Sequence, residues 1–301
     1  MPAIAGIFVC GNLFCSMTFA ETISLFKTTL SGLYDVSEAR ELAYYTLSHF
    51  CGLSRPQLVL KGNEPLDSRA EQEVIRVLEA LRSGKPVQYI LGEATFFGLT
   101  FKVNPAVLIP RPETEELVSW IIEEMNIPEQ PATILDIGTG SGCIPISLKT
   151  KFPRAQVSAM DISAAALDVA RQNAALNQVS VGFHQDDILN PAGFLLGPNT
   201  YSVIVSNPPY IAETEKSMLS ANVLHHEPAT ALFVPDAEPL LFYRAIAGFA
   251  LQKLNRDGML FFEINERFGN ETISLLKDKG FTVVELRKDL NGKDRMVKAM
   301  R

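Results

Sequence analysis

The 301-residue sequence has little positive charge, few cysteines and histidines, and no cluster of basic residues. Lys and Arg number 27 against 34 Asp and Glu, and the net charge is -7. Nucleic-acid-binding proteins usually carry a basic domain, because contacts with phosphates supply much of their affinity. The composition therefore argues against DNA or RNA as a direct partner. With 47% hydrophobic and 20% charged residues, the chain is typical of a folded globular protein.

The cysteines and histidines form no pattern of metal ligands. Cys10, Cys15, Cys51 and Cys143 have no C-x-x-C spacing and no partnering histidines, so the sequence predicts neither a zinc site nor a disulfide framework. The run 225–227, His-His-Glu, lacks the H-E-x-x-H spacing of helical zinc sites, and we expect a solvated loop there. These observations predict a protein without a metal, in a reducing cytoplasm.

No Lys or Arg precedes Lys27. The apolar stretch from Ile4 to Phe19 therefore lacks the positive region of a secretory signal, and Gly11 and Asn12 interrupt it too early for a membrane-spanning helix. We interpret residues 1–16 as an extension that is not native, with Met17 as the start, and keep a targeting segment as the alternative. We expect no membrane association.

From Glu21 to about Gly92 the apolar residues recur at helical spacing, which predicts a small helical domain over residues 17–93. Ser37 and Asp67 are predicted helix starts, the second because acidic residues follow in its first turn.

A linker is predicted over residues 94–110, with short strands at Phe96 to Val103 and Val107 to Ile109. Its predicted form is a β-hairpin that joins the two domains.

Strands and helices alternate in residues 111–301. Ile134 to Ile137, Gln156 to Met160 and Tyr201 to Ser206 have the character of buried strands, and Ala164 to Leu176 that of a helix. Alternating strands and helices predict a mostly parallel sheet covered by helices on both faces. The sequence therefore predicts an α/β, Rossmann-like domain.

A glycine-rich turn follows the first of these strands and precedes a helix: Asp136, Ile137, Gly138, Thr139, Gly140, Ser141, Gly142. Glycines let the backbone turn tightly and approach a ligand closely. The nicotinamide-type G-x-G-x-x-G fingerprint fails, because its last position falls on Cys143 or Pro145, and no G-K-[ST] sequence marks a P-loop. The G-x-G-x-G pattern resembles the first motif of Rossmann-like methyltransferases and indicates an adenine-containing cofactor.

Two acidic positions follow the next strands. Asp161 ends the strand after the glycine turn, where a carboxylate accepts hydrogen bonds from ribose hydroxyls; the alternative is the N-cap of the following helix. The run Asp186-Asp187-Ile188 ends a predicted third strand, where an acidic or neighbouring group meets an adenine amine.

The sequence Asn207-Pro208-Pro209-Tyr210 follows the strand that ends at Ser206. Two prolines cannot donate backbone hydrogen bonds, so the strand stops and the Pro208 carbonyl is held in a stiff turn. The Asn207 side-chain oxygen and this carbonyl can accept both hydrogens of one planar NH2 group. Tyr210 would supply an aromatic wall. Methyltransferases that act on planar NH2 groups, including adenine-N6 enzymes, carry this motif.

The runs that flank these motifs resemble the peptide chain release factor glutamine N5-methyltransferases (HemK/PrmC family). The resemblance extends from about Glu21 to Arg301 and is carried by these runs: Gly84 to Gly92, Phe97-Gly98, Val107 to Glu115, Glu227 to Leu232 and Asp289 to Arg295. It implies a monomeric enzyme that uses S-adenosylmethionine, releases S-adenosylhomocysteine and methylates the glutamine of the release factor Gly-Gly-Gln loop, with the helical domain as the docking site.

By motif position, the resemblance implies a catalytic group and a cofactor-binding group of residues. The catalytic group is Asn207, Pro208, Pro209 and Tyr210. The cofactor-binding group is Asp136, Gly138, Thr139, Gly140, Ser141, Gly142, Asp161, Asp187 and Asn207. The run from Arg111 to Thr114 borders the cofactor or merely caps a helix, and Glu263, in a predicted core strand, is a structural partner or faces the pocket.

Two other functions remain possible from the residues. A nucleic-acid amino methyltransferase would share both motifs but should add a basic recognition domain. A non-catalytic module that binds release factors should have a broken glycine turn or a substituted Asn207, and neither is seen.

Overall fold

The computed structural model describes residues 16–125, 131–191 and 200–301. The predicted extension, apart from residue 16, lies outside the described residues. The chain divides into two compact units, one ending at Leu91 and one comprising Gly92–Arg301.

The first unit is helical, as the sequence predicts. Its helices are α1 (Phe19–Thr29), α2 (Val36–Cys51), α3 (Arg55–Leu60), α4 (Ser68–Leu81) and α5 (Val87–Leu91). Asp67 caps α4 as expected, by accepting hydrogen bonds from the first-turn amides. The helix predicted to start at Ser37 begins one residue earlier, because the N-cap is Asp35, whose side chain accepts from the Glu38 amide.

A hairpin is present at the start of the second unit, with β1 (Glu93–Phe96) antiparallel to β2 (Leu99–Lys102), but its strands are not the two that the sequence predicts. Phe97 and Gly98 both have positive φ, the conformation of the tightest hairpin turns. The predicted strand from Phe96 to Val103 is therefore interrupted by the turn near its start.

The strand predicted at Val107 to Ile109 is absent, and that prediction was wrong. Asn104 turns the chain by accepting a hydrogen bond from the Ala106 amide. The Ile109 amide, which a strand would use for pairing, donates instead to the Glu227 carboxylate.

A seven-stranded sheet forms the second unit. Its strands are β3 (Thr133–Ile137), β4 (Gln156–Asp161), β5 (Gly182–Gln185), β6 (Tyr201–Ser206), β9 (Leu254–Glu263), β10 (Val283–Lys288) and β11 (Asp294–Met300), and β7 (Ile211–Ala212) pairs separately with β8 (Phe233–Val234). The spatial order is β10-β11-β9-β6-β3-β4-β5. Neighbours from β5 to β9 run parallel, whereas β11 is antiparallel to both β9 and β10. The predicted mostly parallel sheet is confirmed.

Helices cover both faces of this sheet. They are α6 (Pro112–Glu124), α7 (Cys143–Lys151), α8 (Ala164–Leu176), α9 (Ala221–His226), α10 (Ala229–Leu232), α11 (Leu241–Lys253) and α12 (Gly269–Lys279). Successive strand residues point to opposite faces. Accordingly, Val203 and Val205 pack in a core with α6 and α7, whereas Ile204 packs in a second core with α11 and α12.

None of the helices that the structure describes combines the length and apolarity needed to cross a bilayer. Within the same described residues, no three His, Cys, Asp or Glu side chains are grouped so as to hold a metal ion.

Gly258 lies at a bulge in β9, where the register against β6 shifts. A Cβ at this position would lie 2.9 Å from the Tyr201 carbonyl oxygen and 3.0 Å from the Asn255 amide nitrogen. Because both are backbone atoms that cannot move aside, we expect G258A to lower the free energy of unfolding by about 2 kcal/mol in urea denaturation.

The matched control is G182A in β5, where the nearest atom to an added Cβ is a His184 ring nitrogen at 3.4 Å. Its unfolding free energy should stay within about 0.5 kcal/mol of the parent value. Equal stability of the two variants would contradict the packing argument.

Candidate active site

Four neighbouring parallel strands end at one edge of the sheet and deliver the predicted site residues there. In the register, Ile137 of β3 lies beside Met160 of β4 and Ser206 of β6, and Asp161 of β4 lies beside Gln185 of β5. The chain builds β4 and β5 on one side of β3 and then crosses to β6 on the other. Such a switch point opens a crevice at the carboxyl ends of the strands, where ligands bind in sheets of this kind.

A cavity of about 350 Å³ occupies this crevice. Nine of the twelve predicted site residues line it: Gly138, Thr139, Gly140, Ser141, Asp161, Asp187, Asn207, Pro208 and Pro209. The other three, Asp136, Gly142 and Tyr210, are set back from the lining that the structure describes. Arg111 and Thr114 also border the cavity, so the run for which the sequence left two roles open both starts α6 and faces the crevice.

The glycine turn forms a loop whose backbone is hydrogen-bonded to β4. The Gly138 and Thr139 amides both donate to the Met160 carbonyl, and the Gly140 amide donates to Asp161 Oδ2 at 2.8 Å. Gly140 has a φ of +54°, a conformation that other residues rarely adopt. At Gly142 a Cβ would come within 3.1 Å of the Ala170 side chain on α8. The glycines therefore allow both the tight turn and the close approach of the loop to a helix.

Asp136 lies beneath this loop, fully buried at the end of β3. Among the described residues, no hydrogen bond of ordinary geometry reaches either carboxylate oxygen, although the Thr139 hydroxyl is close enough to interact with the carboxyl. Burial raises the pKa of this carboxyl to about 7, the Thr139 hydroxyl acts against that shift, and the nearby charge of Asp161 acts with it. A buried acceptor without a well-formed hydrogen bond is costly, and a positively charged ligand group in the adjacent cavity would offset that cost.

Asp161 and Asp187 both hold loop turns, and Asp161 uses both of its oxygens, since Oδ2 already accepts from the Gly140 amide. Asp161 Oδ1 accepts from the Ser163 amide, and Asp187 Oδ1 accepts from the Leu189 amide. The N-cap of α8 is Ser163, whose side chain accepts from the Ala166 amide, so the capping alternative for Asp161 was wrong. Both carboxylates remain at the cavity wall, where further lone pairs can accept hydrogen bonds from a ligand.

Asn207 is held by two buried side chains. Its Nδ2 donates to Thr114 Oγ1 at 3.2 Å, and Thr114 Oγ1 donates to Glu263 Oε2 at 2.6 Å. Thr114 belongs to the first turn of α6, and Glu263 is the last residue of β9; both are nearly inaccessible to solvent. The sequence left the role of Glu263 open, and the structure makes it the anchor of this hydrogen-bonded chain.

Tyr210 binds the same carboxylate from the other side. Its hydroxyl donates to Glu263 Oε1 at 3.1 Å, and its carbonyl accepts from Asn265 Nδ2. Burial, followed by the negative charge of Glu263, raises the pKa of the tyrosine above its ordinary value. Burial also raises the pKa of Glu263, while the hydrogen bonds from Thr114 and Tyr210 and the positive charge of Arg295 act against that shift.

The solvated loop predicted at residues 225–227 is absent, and that prediction was wrong. The two histidines end helix α9, and the Glu227 side chain is 1% exposed and paired with Arg111. It also accepts a hydrogen bond from the Ile109 amide at 3.2 Å. The partners are 116 and 118 residues away, so no local pattern identifies the pair. This ion pair fixes Arg111 at the cavity wall.

Asn173 is a supporting residue that the sequence reasoning missed. It is fully buried on α8, and its Nδ2 donates to the carbonyls of Lys102 on β2 and Ser141 in the glycine loop, each at 2.9 Å. Its Oδ1 accepts from the Lys102 amide at 2.6 Å. The available signal was an asparagine on the apolar face of a helix, between Ala170 and Ala174.

Two family models match the chain, the PrmC N-terminal domain over residues 21–92 and the methyltransferase small domain over residues 117–234. A solved methyltransferase from Thermus thermophilus, the 16S rRNA N2 G1207 enzyme in complex with AdoMet and guanosine, has a TM-score of 0.50 at 16% identity. The match covers 69% of this chain and 49% of that chain. At this level of identity the likeness shows the fold alone.

Curated relatives match over nearly the whole chain. A release factor glutamine methyltransferase from Flavobacterium psychrophilum is 46% identical over 275 residues, which cover 91% of this chain and 95% of the relative. One from Bacteroides thetaiotaomicron is 40% identical, covering 91% of this chain and 97% of the relative. With the methyltransferase fold and the cavity at the strand ends, these matches show that the chain belongs to the release factor glutamine methyltransferase family.

Proposed function

We propose that this enzyme transfers the methyl group of S-adenosylmethionine to the side-chain amide nitrogen, N5, of the glutamine in the Gly-Gly-Gln motif of peptide chain release factors. The observation that carries the proposal is the position of Asn207 and Pro208 on the wall of the cavity that the glycine loop and Asp161 also line. A site for an adenosine-bearing donor and a site for a planar amide thus share one cavity.

The residues of the cavity fit the donor. Asp161 would offer carboxylate lone pairs to ribose hydroxyls, the backbone of Gly138 to Ser141 allows close approach, and Asp187, which lines the same cavity, would meet the adenine amine. Asp136 provides a buried carboxylate beside a ligand whose amino and sulfonium groups are positively charged. When bound, S-adenosylmethionine supplies a methyl carbon made electrophilic by its positively charged sulfur.

On the substrate side, Asn207 Oδ1 and the Pro208 carbonyl would each accept one hydrogen of the glutamine NH2 group. An amide nitrogen is a weak nucleophile, because its lone pair is delocalised. Accepting both hydrogens leaves electron density on the nitrogen and fixes its direction of attack, and orientation of this kind is worth up to about 7 to 11 kcal/mol. S-adenosylmethionine would supply the methyl group and leave as S-adenosylhomocysteine, and the amide nitrogen, held by Asn207 and Pro208, would release one proton to solvent.

The helical region, residues 17–93, would dock the release factor, and the enzyme would act as a monomer without a metal ion. The match of residues 21–92 to the PrmC N-terminal domain supports a role of this region that is specific to the family.

The proposed activity is tested by incubating the protein with methyl-labelled S-adenosylmethionine and either a release factor or double-stranded DNA. We expect one methyl group on the release factor, mapped by tandem mass spectrometry to the Gly-Gly-Gln glutamine, and none on DNA. Label on adenine would instead favour the nucleic-acid enzyme. Label on neither substrate would contradict the release factor glutamine as the methyl acceptor.

N207A should lower the rate of glutamine methylation at least about 100-fold in single-turnover assays with saturating release factor. The variant removes one of the two oxygens that hold the amide, and loss of one such preorganised group typically costs a factor of this size. N270A, at an exposed position on α12, is the matched control and should keep the parent rate. A parent-like rate in N207A would contradict the assignment.

D136N should weaken S-adenosylmethionine binding, measured by calorimetry, at least about tenfold, because the neutral amide no longer attracts the positively charged donor. When S-adenosylmethionine is absent, the free energy of unfolding of D136N should be higher than that of the parent. The pKa of Asp136 rises from an ordinary 3.8 to about 7 in the folded protein, so the folded state holds this proton more tightly than the unfolded chain.

Ionisation of Asp136 therefore costs folding free energy, and the cost grows as the pH rises from 3.8 to about 7 and is constant above that. The advantage of D136N should follow this course and reach at most about 4 kcal/mol at pH 8. D168N, at an exposed position on α8, controls for the change in net charge. If D136N were less stable than the parent at pH 8, the claim that the ionised Asp136 carboxylate costs folding free energy would be refuted.

A further inference from the structure

An asparagine alone does not distinguish a carboxamide from a carboxylate. Its side chain carries an oxygen acceptor on one side and an NH2 donor on the other, and a half turn about the last bond exchanges them. Turned one way, Asn207 would accept a hydrogen from a glutamine amide. Turned the other way, it would donate to a glutamate carboxylate. For Asn207 to contribute to the selection of an amide, a second group must therefore hold its side chain in one orientation.

The contacts behind Asn207 form a directional chain of hydrogen bonds. Glu263 accepts from the Thr114 hydroxyl at Oε2 and from the Tyr210 hydroxyl at Oε1. Since the single hydroxyl hydrogen of Thr114 is given to Glu263, Thr114 Oγ1 can only accept at its other side. Asn207 Nδ2 fills that position at 3.2 Å. One of the two Nδ2 hydrogens of Asn207 is thereby used, and the side chain is held with its nitrogen toward Thr114 and its oxygen on the opposite side.

We propose that Thr114 and Glu263 are positioning residues that set the specificity of this site for a carboxamide over a carboxylate, by fixing the side-chain amide of Asn207 with its oxygen toward the substrate. The inference rests on the proposed function for the identity of the substrate group. The orientation of Asn207 itself depends only on the chain of hydrogen bonds from Glu263.

Burial makes this orientation strongly preferred. Thr114 is 2% and Glu263 1% exposed, so water has little access to replace a lost partner. Turning Asn207 over would place its oxygen against the Thr114 oxygen, and both are acceptors. A buried acceptor left unpaired costs more than a typical hydrogen bond contributes. A glutamate in the site would meet the Asn207 oxygen and the Pro208 carbonyl, two acceptors that repel a carboxylate.

The test compares T114V with T114S. Valine keeps the shape of threonine without the hydroxyl, whereas serine keeps the hydroxyl and loses only a methyl group. The probes are a release factor and its variant with glutamate in place of the Gly-Gly-Gln glutamine, and the measurement is the ratio of their dissociation constants in the presence of S-adenosylhomocysteine.

The parent should bind the glutamine form about tenfold or more tightly than the glutamate form, T114S should keep that preference, and T114V should lower the ratio at least about threefold, with the Pro208 carbonyl still favouring the amide. A general loss of packing would weaken both forms alike and leave the ratio unchanged. A parent-like ratio in T114V would overturn the proposal.

A second measurement needs no substrate. In protein labelled with nitrogen-15 at asparagine, hydrogen exchange of the Asn207 side-chain NH2 should be slow in the parent and in T114S. In T114V, which removes the acceptor, it should be about tenfold faster. Equal exchange in all three proteins would overturn the proposal. If the parent binds neither form of the release factor but the exchange pattern holds, the assigned substrate is wrong and the orientation of Asn207 stands.

Discussion

The parallel pairing of β3 with β6 is the constraint on which the site depends. Ile137 and Ser206 lie side by side in the register, and the Ser206 hydroxyl donates to the Ile137 carbonyl at 2.6 Å. Parallel strands end at the same edge of a sheet, so the residues that follow, Gly138 and Asn207, start the glycine loop and the amide-binding motif next to each other. Two prolines then stop the second strand, and the chain leaves the sheet along the cavity wall.

Two buried acids at this edge illustrate opposite uses of a carboxylate in a low-polarity environment. Glu263 is satisfied by hydroxyl donors on both oxygens, and it serves to orient the groups that bind it. Asp136 is buried, no hydrogen bond of ordinary geometry reaches its oxygens from the described residues, and burial raises its pKa to about 7. The first arrangement stabilises a geometry, whereas the second costs folding free energy that, under the proposed function, a positively charged ligand would offset.

The supporting contacts favour positioning over acid–base chemistry as the source of catalysis. Asn207, Thr114, Glu263 and Tyr210 form one hydrogen-bonded group in which Glu263 is nearly inaccessible to solvent, a poor arrangement for exchanging protons with water. Further back, the buried Glu227 holds Arg111 at the cavity wall. Each contact joins segments far apart in the sequence, so the precision of the site comes from the packed sheet and helices together.

Much of the fold followed from the sequence, because apolar periodicity and chain breakers act locally. The strand Tyr201 to Ser206 and the helix Ala164 to Leu176 were predicted with the bounds that the structure has. The glycine loop and Asn207 to Tyr210 were likewise recognised from neighbouring residues alone. The positions of Glu263 and Glu227 were decided by the tertiary structure, since a buried carboxylate is explained only by its partners. Those partners, Thr114 and Arg111, lie 149 and 116 residues away, and only folding brings them together.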